Sequence, residues 1–583
     1  MWNFFRTFFA ALLALVVFTV LVFFFFAGFL GGLASKSAVR VSVNSVLVLD
    51  PSQHFGEQKK SNPLGVLSAA QQDTPGLYDV LRLISRAASD NKIQGIYLVA
   101  NSNANSFSSS EEIRSALLAF KKSGKFVIAH ADVLTQAAYS IANVADKIYV
   151  SPQGFVEWSG YSLDYLFLKG ALDKLEIQPQ IFYAGKFKSA TEPLRATEMT
   201  PENRLQTSVW LNDLYADLLV KTSETRKVDT ATLHRLANEA SIQTPADAVT
   251  HKLIDAVKYD DEVKDEIKQK LGIDKYKKIN FVSLGDYAGP MPFPHVGNDR
   301  IALIYAEGDI IDGKSGADAI GSDTYRNLIR KARLDRNIRA IVFRINSGGG
   351  SSMASENIWR ELALARKEKP VIVSFGDVAA SGGYYIAVAA DSIFALPTTI
   401  TGSIGVFGII PNMESFFKNK LGVTFDGVKT ADYAGSGTIT RPMNEKEKTL
   451  IQAQINLIYT QFKERVAEGR KLDTAFVDSI AQGRVWTGYR AKEIGLIDRF
   501  GGIQDAIRSA AAMAKLTDYS VFEYPEPRGM FEELLGAKDP IGYEGRIKEE
   551  MGAENYKVYT ELKRINQMTG TIQARMPFQF VVR

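Results

Sequence analysis

The 583-residue chain contains no cysteine. That excludes a disulfide framework, a thiol nucleophile and a thiolate metal site. Histidine is scarce: the five are His54, His130, His234, His251 and His295. A Ser-His-Asp arrangement in the second half would therefore have to borrow its base from the first. No HExxH or paired His/carboxylate spacing occurs, so a zinc or iron site is not expected. No GxxxxGK[ST] occurs either, and Gly348-Gly349-Gly350 lacks the lysine of a phosphate loop. Nor is one sign of charge in excess: 69 Lys+Arg against 65 Asp+Glu leaves +4. The charges are scattered and give no reason to expect nucleic acid. No metal and no cofactor is expected.

A long apolar run is present. From Phe8 to Leu33 the chain carries no charge, and roughly 20 such residues cross a bilayer core as a helix. A cleavable signal peptide has an apolar region of only about 7–15 residues, so residues 1–36 are expected to form a retained single-pass anchor. Arg6 precedes the span and Lys36 and Arg40 follow it, so the positive-inside rule does not decide its orientation. A single N-terminal anchor before a large mixed-charge body most often exports that body.

Behind the anchor, residues 83–158 and 328–403 are one pattern written twice at a constant shift of 245: Asp90 falls on Asp335, Ile96 on Ile341, Asn101 on Asn346, Asp132 on Asp377, Tyr139 on Tyr384 and Pro152 on Pro397. Each copy alternates apolar strands with helical stretches, as α/β domains with right-handed crossovers do. Val/Ile-rich runs without polar alternation fit strands buried on both faces. Pro290, Pro292 and Pro294 mark a linker. The expected division is 37–285 for the first repeat, 286–299 for the linker, 300–518 for the second repeat, and 519–583 for a helical, peripheral tail used in assembly.

The copies differ where chemistry would sit. Asn103-Ala104-Asn105 faces Gly348-Gly349-Gly350, Gln136-Ala137-Ala138 faces Ser381-Gly382-Gly383, and Glu157-Trp158 faces Gly402-Ser403. A strand followed by Gly348–Ser351 and then a helix could aim backbone N–H groups into a pocket as an oxyanion hole. A serine between glycines, such as Ser403, is by itself more often a turn residue, but its replacement by tryptophan in the other copy sets it apart. Without histidine, the usual base for a serine is a lysine kept neutral by burial. Lys188 lies in the first copy, opposite Tyr433 of the second. One half keeps the serine and the other keeps the lysine, which points to one composite site.

These residues resemble a known family. Thr401-Gly402-Ser403-Ile404-Gly405, Ala380-Ser381-Gly382-Gly383-Tyr384, Asn346–Ser351 and Gly185-Lys186-Phe187-Lys188-Ser189-Ala190 with Glu192-Pro193 are together similar to the long form of the signal peptide peptidase A family. The resemblance runs through nearly the whole chain; Gly348 stands where the family commonly has proline. It implies a tandem repeat of two Clp-protease/crotonase-like α/β domains behind one transmembrane helix. It also implies a serine endopeptidase with Ser403 as nucleophile and Lys188 as general base. Oxyanion and substrate-binding positions are expected at Gly349, Gly350, Ser381, Gly382 and Gly402, with Ser381 the competing nucleophile. The implied partners are hydrophobic peptides, the membrane and three further copies in a homotetrameric bowl on the outer face of the cytoplasmic membrane. The rival readings are a crotonase-type acyl-CoA enzyme and a non-catalytic membrane scaffold.

Overall fold

The structure, a computed structural model, describes residues 2–34, 41–59, 74–288, 297–316, 319–526, 550–552, 556, 559–560, 568 and 570–576. The apolar run is a helix, Trp2–Ala34, of which Trp2–Val22 stands clear of the body and is long and apolar enough to cross a membrane. Most of the proline-rich linker and most of the expected helical tail lie outside the described residues.

In the first half, strands β1 (Ser45–Leu49), β2 (Ile93–Val99), β3 (Phe126–Leu134), β4 (Lys147–Val156), β5 (Gln178–Ala184), β6 (Ala256–Val257) and β7 (Asn280–Ser283) follow one another. All but β5 form one parallel sheet in the order β6-β4-β3-β2-β1-β7. The second half holds β8 (Arg300–Glu307), β9 (Asp309–Ile311), β10 (Ala319–Gly321), β11 (Ile338–Ser347), β12 (Gly349–Ser351), β13 (Val371–Ala380) and β14 (Ser392–Ala395). It continues with β15 (Ile400–Gly402), β16 (Val406–Asn412), β17 (Val485–Thr487), β18 (Arg499–Phe500), β19 (Ser520–Tyr524) and β20 (Ile572–Arg575). Here the parallel order β18-β14-β13-β11-β8-β19 repeats the first sheet strand for strand.

The repetition extends to single hydrogen bonds. Tyr139 Oη donates to the Leu253 carbonyl and Tyr384 Oη to that of Leu496, each at 2.8 Å. Asp146 accepts from Val127 N at 2.8 Å as Asp391 does from Val371 N at 2.9 Å. Asp255 accepts from Ile148 N at 2.8 Å as Asp498 does from Ile393 N at 2.7 Å. Each aspartate satisfies a backbone donor at the start of a buried strand, which would otherwise cost about 1–3 kcal/mol. That is a physical reason for these positions to carry the same residue in both copies.

Two elements depart from the expected division. Strand β5 leaves the first sheet and pairs with β16 in a separate sheet, β10-β9-β12-β20-β16-β5. The region after 518 is not merely peripheral: β19 completes the second sheet beside β8, in the place β7 holds beside β1, and β20 lies between β12 and β16. Short apolar runs within a charged stretch carried too little periodicity to be read as strands.

The halves share one apolar core, in which Leu47, Ile96 and Tyr139 pack in the same cluster as Leu303, Val342, Ile372 and Ile503. Through it runs a buried ion triad. Arg344 on β11 donates from Nε to Glu57 at 2.8 Å and from Nη2 to Glu112 at 2.6 Å, and its third nitrogen serves Ser374 and the Phe375 carbonyl. Glu57 and Glu112 belong to the first half. Burial outweighs the adjacent guanidinium and pushes the Glu57 carboxyl up to about 7. Removing one member of such a cluster strands buried charge, at about 3–5 kcal/mol. Arg344→Met is therefore expected to lower the calorimetric unfolding temperature by several degrees; an unchanged midpoint would show that the triad does not tie the halves together.

Candidate active site

The ladder between β5 and β16 sets the site. It is antiparallel, with Ala184 opposite Val406 and Gln178 opposite Asn412. The carboxyl end of β5 therefore lies beside the amino end of β16. Lys188 follows the first by four residues and Ser403 precedes the second by three, so two residues 215 apart in sequence meet. Lys188 Nζ stands 3.0 Å from Ser403 Oγ, 3.0 Å from the Ser403 carbonyl and 2.9 Å from Ser381 Oγ. Lys188 is 1% exposed, and Ser403 and Ser381 are fully buried.

The turns that deliver these side chains demand glycine. At Gly185, with φ +104°, a Cβ would sit 2.4 Å from the Gln482 carbonyl carbon; at Gly483, with φ +74°, it would sit 2.7 Å from Lys188 Cβ. The lysine loop is thus pressed onto the Ala481–Arg484 turn of the second half, where Phe187 N donates to the Gln482 carbonyl at 2.8 Å. Ser403 and Ser381 both adopt positive φ, 50° and 52°. Such backbone is uncommon outside glycine and is held by its surroundings: Ser403 N donates to the Arg484 carbonyl at 2.7 Å and Ser381 N to the Gly402 carbonyl at 2.8 Å.

Burial holds the Lys188 ammonium well below its ordinary pKa, because the charged form loses its hydration. A neutral amine at hydrogen-bond distance from a hydroxyl is equipped to take its proton. Both hydroxyls lie within reach, but they differ in their other partners. Ser381 Oγ also donates to the Gly405 carbonyl at 3.3 Å, whereas the Ser403 hydroxyl is held by Lys188.

Of the remaining expected positions, Gly349, Ser381 and Gly382 converge. A Cβ on Gly349, with φ +99°, would lie 2.7 Å from Gly382 N, and both glycines back onto the Ala574 carbonyl. Gly382 opens the short helix Gly382–Ala387, while the Gly349 N–H is directed at Ser347 Oγ, 3.1 Å away. Gly350 points elsewhere, its backbone pressed against Ile310 of β9. Gly402, with φ +79°, makes room for the Trp486 ring.

Among the described residues the first repeat has no equivalent site. Trp158, opposite Ser403 in the repeat, is buried with its indole N–H on the Leu233 carbonyl at 2.9 Å and its ring edge-on to Tyr139. Tyr433, opposite Lys188, is half-exposed.

The model of Peptidase family S49 matches the chain twice, at residues 119–274 and 363–517. Protease 4 of Salmonella typhi is 35% identical over 510 residues, 86% of this chain and 82% of that protein. The chloroplastic serine protease SPPA of Arabidopsis thaliana is 32% identical over 487 residues, 82% of this chain and 70% of that one. Protease 4 of Haemophilus influenzae is 35% identical over 445 residues. The chain belongs to peptidase family S49: it is a serine peptidase of the signal peptide peptidase A type, with an N-terminal apolar helix. The acyl-CoA and scaffold readings find no support in these relatives.

Sequence reading missed a supporting residue. Gln206, on the helix Pro201–Arg226, donates from Nε2 to the Phe187 carbonyl at 3.1 Å and to Ser189 Oγ at 3.0 Å, and its Oε1 accepts from Val485 N at 3.1 Å. It clasps both neighbours of Lys188 to the strand that follows Arg484. Nothing in the local pattern marks this glutamine, so only the fold reveals it. Gln206→Leu should lower kcat about tenfold or more with a smaller change in KM, since a slight misplacement of the amine costs that much; steady-state kinetics with unaltered turnover would remove Gln206 from this role.

Proposed function

We propose that the chain is a membrane-anchored endopeptidase whose nucleophile is Ser403 and whose general base is Lys188. What supports this above all is the 3.0 Å approach of a buried, desolvated Lys188 Nζ to Ser403 Oγ across the two repeats. Neutral Lys188 takes the Ser403 proton as the oxygen attacks a peptide carbonyl. The ammonium then gives that proton to the leaving amine, and water repeats the sequence on the acyl-enzyme. Backbone donors around Gly349 and Gly382, with the Ser381 hydroxyl, are the candidates for holding the oxyanion. Substrates are extended, apolar peptides of the kind left by signal-peptide cleavage. The anchor keeps the catalytic body at the lipid surface, on the outer face of the cytoplasmic membrane.

Pseudo-symmetry supports assembly. Shifted by 245, β5 falls on residues 423–429 and β16 on 161–167. Neither segment is part of a strand, and 423–429 is exposed throughout, with Phe425 at 52% and Val428 at 100%. Each copy thus carries both halves of a second ladder, and a head-to-tail neighbour completes it. Such heterologous contacts close into rings, and four copies is the number the family resemblance implies.

With the full-length protein and a hydrophobic peptide ester, Ser403→Ala and Lys188→Met should each reduce kcat/KM by about a thousandfold or more; activity surviving Ser403→Ala would transfer the nucleophile to Ser381. The pH profile follows from the lowered lysine pKa. Below that pKa, Nζ is protonated and cannot accept a proton, so kcat/KM should fall on the acid side and level off above it. A rate that declines as pH rises through neutrality would contradict a lysine base. For assembly, Val428→Glu with Phe425→Asp should convert the oligomer to single copies in light scattering; an unchanged mass would place the interface elsewhere.

A further inference from the structure

The apolar helix enters the body at one edge of the first sheet. The uncharged run ends at Leu33 and the described fold resumes at Val41, so the tether between them reaches at most about 25 Å. Strand β1 begins at Ser45, and the sheet it joins is parallel throughout. The loops before β2, β3, β4 and β7 therefore lie at the same edge as the tether. The turn before β7 is fixed beside it: Asn280 Nδ2 donates to Ser42 Oγ at 3.0 Å and to Ser45 Oγ at 2.7 Å.

That turn is basic and faces outward. Lys270, Lys275, Lys277 and Lys278 are exposed, and among the described residues none has a carboxylate partner. Lys92, just before β2, is exposed at the same edge, and the tether's own sequence adds Lys36 and Arg40. The neighbouring acids are engaged elsewhere. On the helix Asp260–Leu271, Asp260 holds Lys264, Asp265 holds Lys268 and Glu266 holds Lys258. Asp274 caps Tyr276 N at 2.8 Å, and Lys268 Nζ donates to the Lys275 carbonyl at 2.7 Å. The turn so held presents Tyr276, which is 84% exposed, and Val43 beside the tether is 71% exposed. The second repeat offers a comparison. Before β19 it carries Leu516-Thr517-Asp518, and Leu516 packs on the core. Its Lys515, Thr517 and Asp518 stay exposed although the preceding helix Ile503–Met513 is packed between the repeats. A neighbour packed in the same way on Asp260–Leu271 would leave the lysine turn open.

We propose that the turn from Lys270 to Lys278, together with Lys92, Lys36 and Arg40, is a docking surface for anionic lipid headgroups beside the anchor. The inference rests on the membrane-anchor reading above. Ammonium groups attract phosphate-bearing headgroups within a screening length of the bilayer. A tyrosine ring such as Tyr276 settles at the interface, its apolar body in lipid and its hydroxyl in water. A few lysines hold a free protein only weakly, but a short tether keeps this surface at a high effective concentration of headgroups. A lipid surface is the occupant because the anchor delivers this edge to the bilayer. One helix alone leaves the body free to swing about its tether. The second contact seats the amino edge of the first sheet on the membrane and so fixes how the body stands above it.

The chain has no cysteine, so Gln269→Cys gives a single labelling position, exposed beside the turn. The full-length protein with a fluorophore there is placed in nanodiscs of phosphatidylcholine, alone or with about 30% phosphatidylglycerol. Both kinds of disc contain a lipid whose headgroup carries a nitroxide quencher. Quenching should be about threefold or more stronger in the anionic discs. It should fall to the neutral-disc value when Lys275→Glu, Lys277→Glu and Lys278→Glu are combined. Raising the salt from about 0.1 M to 1 M, which shortens the screening length from about 10 Å to 3 Å, should do the same. Hydrolysis of a soluble peptide ester should be unchanged in the triple variant, which shows it folded. Equal quenching in the two kinds of disc, or quenching that survives the triple change, overturns the docking surface and leaves the anchor standing. Wild-type protein that alkaline carbonate strips from vesicles of either composition is not anchored, and that result overturns both readings.

Discussion

The antiparallel ladder between β5 and β16 is the constraint on which the rest depends. Seven residue pairs tie a strand of the first half to a strand of the second, and the register alone brings the lysine turn onto the serine turn. A slip of one residue would reverse every side chain on β5 and carry Lys188 away from Ser403. The register is protected on both sides. Phe182 and Ala184 of β5 and Val406 and Ile410 of β16 pack in the core of the second repeat, while Phe407 and Ile409 face a separate apolar cluster with Leu168, Ala190 and Leu194.

That arrangement places a lysine where folding alone would not. An amine with no carboxylate partner is costly to bury as a charge, and the lowered pKa is the form the cost takes. The surroundings make the neutral form acceptable with two serine hydroxyls and one carbonyl within 3.0 Å. Gln206 on one side and the 482–484 turn on the other leave the side chain little freedom. The turns that carry these residues are strained: Ser381 and Ser403 stand at positive φ, and at Gly185, Gly402 and Gly483 a Cβ would collide. Serines held at positive φ by their surroundings are what a preorganised site looks like.

Much of this was legible in sequence because duplication supplies an internal control. The paired aspartates and tyrosines that hold strand ends in both halves stand out as identities at one shift, and the Trp158/Ser403 and Lys188/Tyr433 exchanges stand out as departures from it. The strands β1 to β3 and β8, β11 and β13 could be read because burial on two faces leaves unbroken Val/Ile runs. Other features were hidden. The exchange of β5 between the halves depends on pairing across more than 200 residues, which no local pattern encodes. Gln206 is one polar residue on a long helix. Strand β20, four residues within a polar stretch, has neither length nor alternation to announce it.

The two repeats also resolve their open edges differently. A strand edge with unpaired donors and acceptors is a standing invitation to another chain. In the second repeat the edges of β12 and β16 are joined by β20 of the same chain. The equivalents of β5 and β16 in the other repeat frame, 423–429 and 161–167, have no strand partner among the described residues. The β20 contacts are short, three pairs with β12 and two with β16, whereas the β5·β16 ladder is seven pairs long and packed on both faces. The two repeats therefore use equivalent segments differently: in one frame they form the ladder that brings Lys188 to Ser403, and in the other both stay outside any strand.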